Sequence, residues 1–214
     1  MARNVDTALT KKAHTKQQWT EQHIQDMMAC MDPETGYIHF AKNFFHIQHP
    51  VKGKMLFDPF QYQLNLLNSY HNYRFNINML PRQSGKTTCA SAYLLWYAMF
   101  HPDQTILVAA HKFTGAQEIM QRIRYGYELC PDFLRAGIIS YNKGSIEFDN
   151  GSRIVSQTTT GTTGRGMSIS LLYCLDGDTS VVRIRNKTTL VEEDITLTDL
   201  YKRLYNPNWN SYMK

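Results

Sequence analysis

No apolar run in the chain approaches the roughly 18 residues that a membrane-spanning helix needs, so a helical membrane protein is not the expectation. The opening residues, MARNVDTALTKKAHTKQQ, are polar and lack the apolar core of a secretory signal. A cytoplasmic protein with no membrane partner is therefore expected. Cysteine is scarce: Cys30, Cys89, Cys130 and Cys174 are the only ones, and no two form a C-x-x-C pair. That spacing excludes the usual zinc sites and dithiol redox motifs. The first three are expected as small buried apolar side chains. Neither sign of charge dominates, since the net charge is +5 and charged residues make up 19% of the chain. From Cys174 onward six Lys/Arg balance six Asp/Glu, so the whole basic excess belongs to residues 1–173. A mildly basic domain tolerates a nucleic-acid partner without requiring one. Internal repeats and low-complexity segments are also missing.

What is present suits one α/β domain with a real core and a small second unit: 214 residues, 43% of them hydrophobic. Residues 15–31 carry a helical rhythm, with Trp19, Ile24, Met27 and Met28 as its apolar points. A second helix is expected over 57–73, after Pro59. RFNINML (74–80) alternates and ends at Pro81, which predicts a strand. TTCASAYLLWYAMF (87–100) reads as a long apolar helix, with Leu94, Leu95, Tyr97 and Met99 as core. TILVAA (105–110) suits a buried parallel strand, and 114–130 an amphipathic helix ended by Pro131. SIEFDNGSRIVSQTT (145–159) predicts a hairpin around Asn150-Gly151, and SISLLY (168–173) another buried strand. Strands alternating with helices predict a parallel sheet with crossover helices.

Between the strand expected at 74–80 and the helix expected at 87 lies PRQSGKTT. A loop joining a strand to a helix N-terminus is where a phosphate cradle belongs, because free backbone N–H groups and the helix dipole both favour an anion. Gly85 lets the backbone approach, Lys86 would reach the β- and γ-phosphates, and the Thr87 hydroxyl would hold Mg²⁺. The pattern G-x-x-x-x-G-K-[ST] is not met in full, since Leu80 stands at its first glycine.

PRQSGKTT resembles the variant phosphate loop (Walker A) of the large terminase subunit, the DNA-packaging motor of tailed bacteriophages. Upstream, FQYQLNLL resembles that family's adenine-recognising glutamine motif, with Gln63 at the matching place, eighteen residues before Pro81. The resemblance extends over roughly residues 40–173. It implies an ATP- and Mg²⁺-dependent P-loop NTPase of the ASCE type. It also implies Gln63 as the adenine reader and Arg82 as an arginine stabilising γ-phosphate charge in cis. Gln83, Ser84, Gly85, Lys86, Thr87 and Thr88 would line the phosphate site.

A motor of this kind needs an apolar strand followed by an Asp for Mg²⁺ and a Glu to activate water. ISLLY supplies the apolar run, but the chain continues Cys-Leu-Asp-Gly-Asp-Thr. Taking Asp176 as the metal acid leaves Gly177 where the Glu belongs. CLDGDTSVVRIRNKTTLVEEDITLTDLYKRL resembles instead the first block of an intein, and GDT-x-V followed by DLYKRL is especially similar to atypical split inteins with very short N-terminal pieces. That resemblance implies that Cys174 attacks the carbonyl of Tyr173 to form a thioester, a step that suits a thiol. Asp178 and Thr179 are expected to be structural. The Thr-x-x-His block and terminal His-Asn pair of inteins do not follow Cys174, so a separate C-intein–C-extein polypeptide would have to bring them.

The expected organisation is an N-terminal helical segment (1–40), an incomplete terminase ATPase domain as N-extein (41–173), and a short β-rich split-intein fragment of the Hint class (174–214). The expected partners are the C-intein–C-extein chain and, after splicing, double-stranded phage DNA, the small terminase and the portal, in the cytoplasm of an infected bacterium. The alternative is an intact nucleotide-binding or helicase-like module that uses Asp176 and does not splice.

Overall fold

The computed structural model describes residues 9–78, 80–81, 83–160, 163–175, 181–185, 192–196 and 199. In chain order the elements are α1 (Glu21–Met31), α2 (Gly36–Asn43), β1 (His46–His49), β2 (Gly53–Leu56), α3 (Gln61–Asn72), α4 (Lys86–Phe100), β3 (Thr105–Ala110) and α5 (Phe113–Leu129). They continue as β4 (Ile138–Tyr141), β5 (Ser145–Phe148), β6 (Arg153–Thr158), β7 (Leu171–Leu175), β8 (Val181–Arg185) and β9 (Glu192–Thr196).

α1 starts later than its apolar rhythm suggests, because Thr20 caps it: the Thr20 hydroxyl accepts from the His23 N–H at 3.3 Å, and the His23 ring accepts from the Thr20 N–H. Trp19 is thereby left ahead of the helix and half exposed. At the other end Asp32 stops α1 and organises the entry to α2. Its carboxylate accepts from the backbone N–H of Glu34 and Thr35 and from the Thr35 hydroxyl, and these bonds hold its pKa below the usual carboxylate value.

α4 is apolar all round because it is buried all round, packed against α2, α3, α5 and β3. Leu94, Leu95 and Trp96 are fully enclosed, and the Trp96 indole donates to the Cys30 carbonyl at 2.8 Å, tying α4 to the end of α1. Cys30, Cys89 and Cys130 are buried in the core, as expected. α2 runs across residue 40 and places Tyr37, Phe40 and Ala41 in the same core.

Five strands form the main sheet in the order β4-β5-β6-β3-β7, with β3 parallel to both β6 and β7. The sheet is mixed rather than wholly parallel, because the hairpin at Asn150-Gly151 makes β5 antiparallel to β6, and β4, which the sequence reading missed, adds a second antiparallel pair. Gly151 takes the left-handed conformation the turn needs (φ +82°). Asn150 reaches back to donate to the carbonyls of Ala98 and Met99, two of the unpaired carbonyls ending α4. The chain itself covers the β4 edge: Ile138 donates to the Lys11 carbonyl at 2.8 Å, and Lys11 Nζ bonds the carbonyls of Asp132 and Arg135. Among the described residues the outer edge of β7 has no strand beside it.

Residues 74–78 and Leu80 of RFNINML are not in a strand. Alternation only marks a segment able to pair, and residues 74–78 have no ladder neighbour among the described residues, so Asn76 turns locally to Ser69 and to the Tyr73 carbonyl instead. Among the described residues no helix is long and apolar enough to cross a membrane.

Gly126 sits inside α5, where alanine is ordinarily better by about 1 kcal/mol. A Cβ there would enter the ring of Phe45, which is fully buried. Gly126→Ala is therefore expected to destabilise the chain by about 1–3 kcal/mol, overpacking outweighing helix propensity, as read by urea denaturation.

Candidate functional site

The expected phosphate loop folds at the N-terminus of α4, whose first intrahelical bond runs from the Cys89 N–H to the Gly85 carbonyl at 3.0 Å. The N–H groups of the first turn, Lys86 to Thr88, thus lack helical partners, and among the described residues no side chain caps them. Two residues of the loop have positive φ, Gln83 (+61°) and Gly85 (+76°). Left-handed residues of this kind curl a backbone so that successive N–H groups face one hollow. Gly85 is required twice over: by that φ, and because a Cβ would collide with the Gln63 amide.

Lys86 folds back across its own loop, donating from Nζ to the Pro81 carbonyl at 3.3 Å. Thr87 and Thr88 are half-buried in the first turn, and Gln83 is exposed. Ser84 Oγ is buried and has no hydrogen-bond partner among the described residues. Leu80, at the place of the missing first glycine, packs against the core. Arg82 lies outside the described residues.

Gln63 is buried, and both ends of its amide are engaged. Oε1 accepts from the Phe60 N–H at 2.9 Å, and Nε2 donates to the Ser84 carbonyl at 3.0 Å. In this arrangement it fastens the first turn of α3 to the loop. Tyr62, which the sequence did not single out, donates to the same carbonyl at 2.9 Å. Its signal was only its position beside Gln63. Next to it an open hollow of about 250 Å³ is lined by Tyr62, Asn65, Ser69, Ile77, Asn78 and Leu80.

Tyr173 and Cys174 lie on β7 in parallel register with Val108 and Ala109. The strand expected over 168–173 thus begins later and runs on to Leu175, across the expected junction. Tyr173 packs against the core, and burial, with Cys89 and Cys174 nearby, pushes its phenol up to about 12. Cys174 points to the other face, as strand alternation requires, and is half-buried. Burial pushes its thiol up to about 11. Asp176, Gly177, Asp178 and Thr179 lie outside the described residues, as do residues 200–214. β8 and β9 form their own two-stranded antiparallel sheet, with Arg183 opposite Asp194 and Arg185 opposite Glu192.

The shift at Cys174 has a measurable consequence. Its alkylation by iodoacetamide should rise about tenfold per pH unit from pH 7.5 to 9.5 and go on rising, because the reactive thiolate stays a minor form below about 11. In 8 M urea the same site should bend over near pH 9 and level off above about pH 10. Peptide mapping of the labelled chain reads both curves, and a native curve that also bends over near pH 9 would mean the thiol is not shielded.

Residues 77–177, just under half of the chain, match the family model described as terminase large subunit, T4likevirus-type, N-terminal. The match begins ahead of the loop at 81–88, contains α4, β3, α5 and β4 to β7, and ends three residues beyond Cys174.

Proposed function

We propose that residues 1–173 are the nucleotide-binding part of a phage DNA-packaging motor subunit, and that residues 174–214 are the N-terminal half of a split intein that joins it to the rest of the motor. The observation that carries this reading is the junction. The apolar edge strand β7, inside a terminase-like stretch, runs into Cys-Leu-Asp-Gly-Asp-Thr, and no Asp-Glu pair follows it where the metal acid and catalytic Glu are needed.

The loop fits a polyphosphate. A buried hydroxyl without a partner at Ser84, a left-handed Gly85, and a helix N-terminus with uncapped N–H groups are the donor set an anion requires. On this reading the backbone of Gln83 to Thr88 cradles the phosphates. Lys86 would exchange the Pro81 carbonyl for the β- and γ-phosphates of ATP, and the Thr87 hydroxyl would hold Mg²⁺. Bound Mg²⁺ would supply charge neutralisation across the phosphates. Arg82 would stabilise γ-phosphate charge. Gln63 would read adenine only after releasing Phe60 or Ser84, since both ends of its amide are in use.

Splicing begins when Cys174 Sγ attacks the Tyr173 carbonyl carbon. A C–S bond forms, the Tyr173–Cys174 C–N bond breaks, and the thiol proton passes to the departing amine, with no change of oxidation state. Pairing of β7 with β3 and the raised thiol pKa both oppose this step. The C-intein must therefore loosen β7 as well as bring its histidine. The acyl group then passes to a Cys, Ser or Thr opening the C-extein. The restored motor would act with double-stranded DNA, the small terminase and the portal in the cytoplasm of the infected bacterium.

A second reading has its own support: β7 runs through Cys174 to Leu175, which puts Asp176 directly after the strand, and the terminase-like match continues to Gly177. Asp176 would then be the Mg²⁺ acid of an intact ATP-binding module that does not splice. Mixing the chain with a C-intein–C-extein polypeptide bearing Thr-x-x-His and a terminal His-Asn separates the two. The splicing reading requires a ligated product from which residues 174–214 are missing. The second reading requires no product, and ATP turnover that falls in Asp176→Asn.

A further inference from the structure

The Ser84 carbonyl accepts two hydrogen bonds from neighbouring residues of one helical turn, Tyr62 Oη at 2.9 Å and Gln63 Nε2 at 3.0 Å. A carbonyl oxygen has two lone pairs, so both are taken. The peptide joining Ser84 to Gly85 is planar and trans, so its N–H points opposite to its C=O. Pinning the oxygen toward α3 from two directions therefore fixes the Gly85 N–H away from α3, on the side where the loop curls. A peptide that leads into a glycine is otherwise free to flip, because glycine accepts either orientation. Tyr62 is itself steadied by its ring, which stacks on Phe60 with centroids 5.9 Å apart and planes 9° from parallel.

We propose that Tyr62 is a positioning residue of the phosphate loop: its hydroxyl, together with the Gln63 amide, locks the Ser84–Gly85 peptide in the orientation that presents the Gly85 N–H to a phosphate. This rests on the phosphate-loop reading above. It assigns Tyr62 a role through its hydroxyl and not through its ring, which separates it from a residue that merely stacks on a base or fills space.

The test uses the full chain in three forms: wild type, Tyr62→Phe and Lys86→Ala. Two readouts are needed, the affinity for a fluorescent mant-ATP probe with Mg²⁺, including its displacement by adenosine, and backbone hydrogen exchange without ligand at Cys89, whose N–H donates to the Gly85 carbonyl. Tyr62→Phe is expected to weaken mant-ATP binding about fivefold, as for one lost hydrogen bond, and to speed exchange at Cys89 by a similar factor. Displacement by adenosine, which has no phosphate, should be unchanged relative to wild type. Equal mant-ATP affinity and equal exchange in wild type and Tyr62→Phe would overturn the lock. So would an equal loss for ATP and adenosine, which assigns the residue to the base or to general stability. If wild type binds no mant-ATP, or Lys86→Ala binds as well as wild type, the phosphate-loop reading fails and takes the lock with it. The lock alone fails if Lys86→Ala abolishes binding while Tyr62→Phe leaves it intact.

Discussion

Cys174→Ala should give no ligated product under any condition in which the wild-type chain gives one. Alanine has no atom able to open the Tyr173 carbonyl, so the first step is removed rather than slowed. The substitution is small and falls on a half-buried position of an edge strand, so the fold and nucleotide binding should survive it. Unchanged circular dichroism and mant-ATP affinity would exclude misfolding as the cause. Cys174→Ser should retain a much slower reaction, because a hydroxyl near neutral pH is a weaker nucleophile than a thiol with some thiolate. With the thiol at about 11, only about one molecule in three thousand carries thiolate at pH 7.5. Release of β7 to solvent, returning the thiol toward 9.0, would raise that fraction about a hundredfold. On the splicing reading, that gain would make strand release part of the activation. Hydroxylamine added to wild type with its complementing polypeptide should cut after Tyr173, and Cys174→Ala should stay whole, as intact-mass measurement would show. Ligation by Cys174→Ala equal to wild type would remove the nucleophile from position 174 and with it the junction.

What the sequence made legible has a common physical origin. β3 was readable because TILVAA is buried on both faces, so its apolar run is continuous and cannot drift in register. The β5–β6 hairpin was readable from Asn150-Gly151, whose turn chemistry is local, and α4 from an apolar length that only a helix could bury. The failures needed information from elsewhere in the chain. RFNINML has the pattern of a strand but no partner among the described residues, and a strand exists only as part of a ladder. β4 and the β1–β2 pair are four residues per strand, too short for a period to rise above noise. α2 is eight residues and begins at a glycine, and its place was set by the Asp32 and Thr35 bonds before it. Among the proposed site residues, Gly85, Lys86 and Thr87 stand out by spacing. Tyr62 does not, because the role proposed for it depends on a carbonyl twenty-two residues away. The duty of Gln63 as a fastener was hidden for the same reason.

ATP turnover should be near background in the purified 214-residue chain and should appear after ligation to the C-extein. On the proposed reading the loop at 81–88 would supply phosphate binding, but binding substrate equally in ground and transition states does not accelerate the chemistry. Acceleration needs a carboxylate to hold Mg²⁺ in place and another to orient the attacking water, and positioned acid–base groups of this kind are worth about 10²–10⁴ in rate. On the splicing reading both carboxylates are in the other polypeptide. The chain alone should therefore bind mant-ATP without consuming it, and the ligated product should hydrolyse ATP at least about 100-fold faster. Lys86→Ala carried through ligation should return the product to background, since the added acids act only on phosphates the loop has seated. The comparison also separates assembly from joining. If mixing Cys174→Ala with the C-fragment restores turnover without ligation, non-covalent complementation suffices and the peptide bond serves only to hold the halves together under load. Turnover by the purified chain alone, lost in both Lys86→Ala and Asp176→Asn, would mean that the acid is already present after β7 and that the motor is not divided at Cys174.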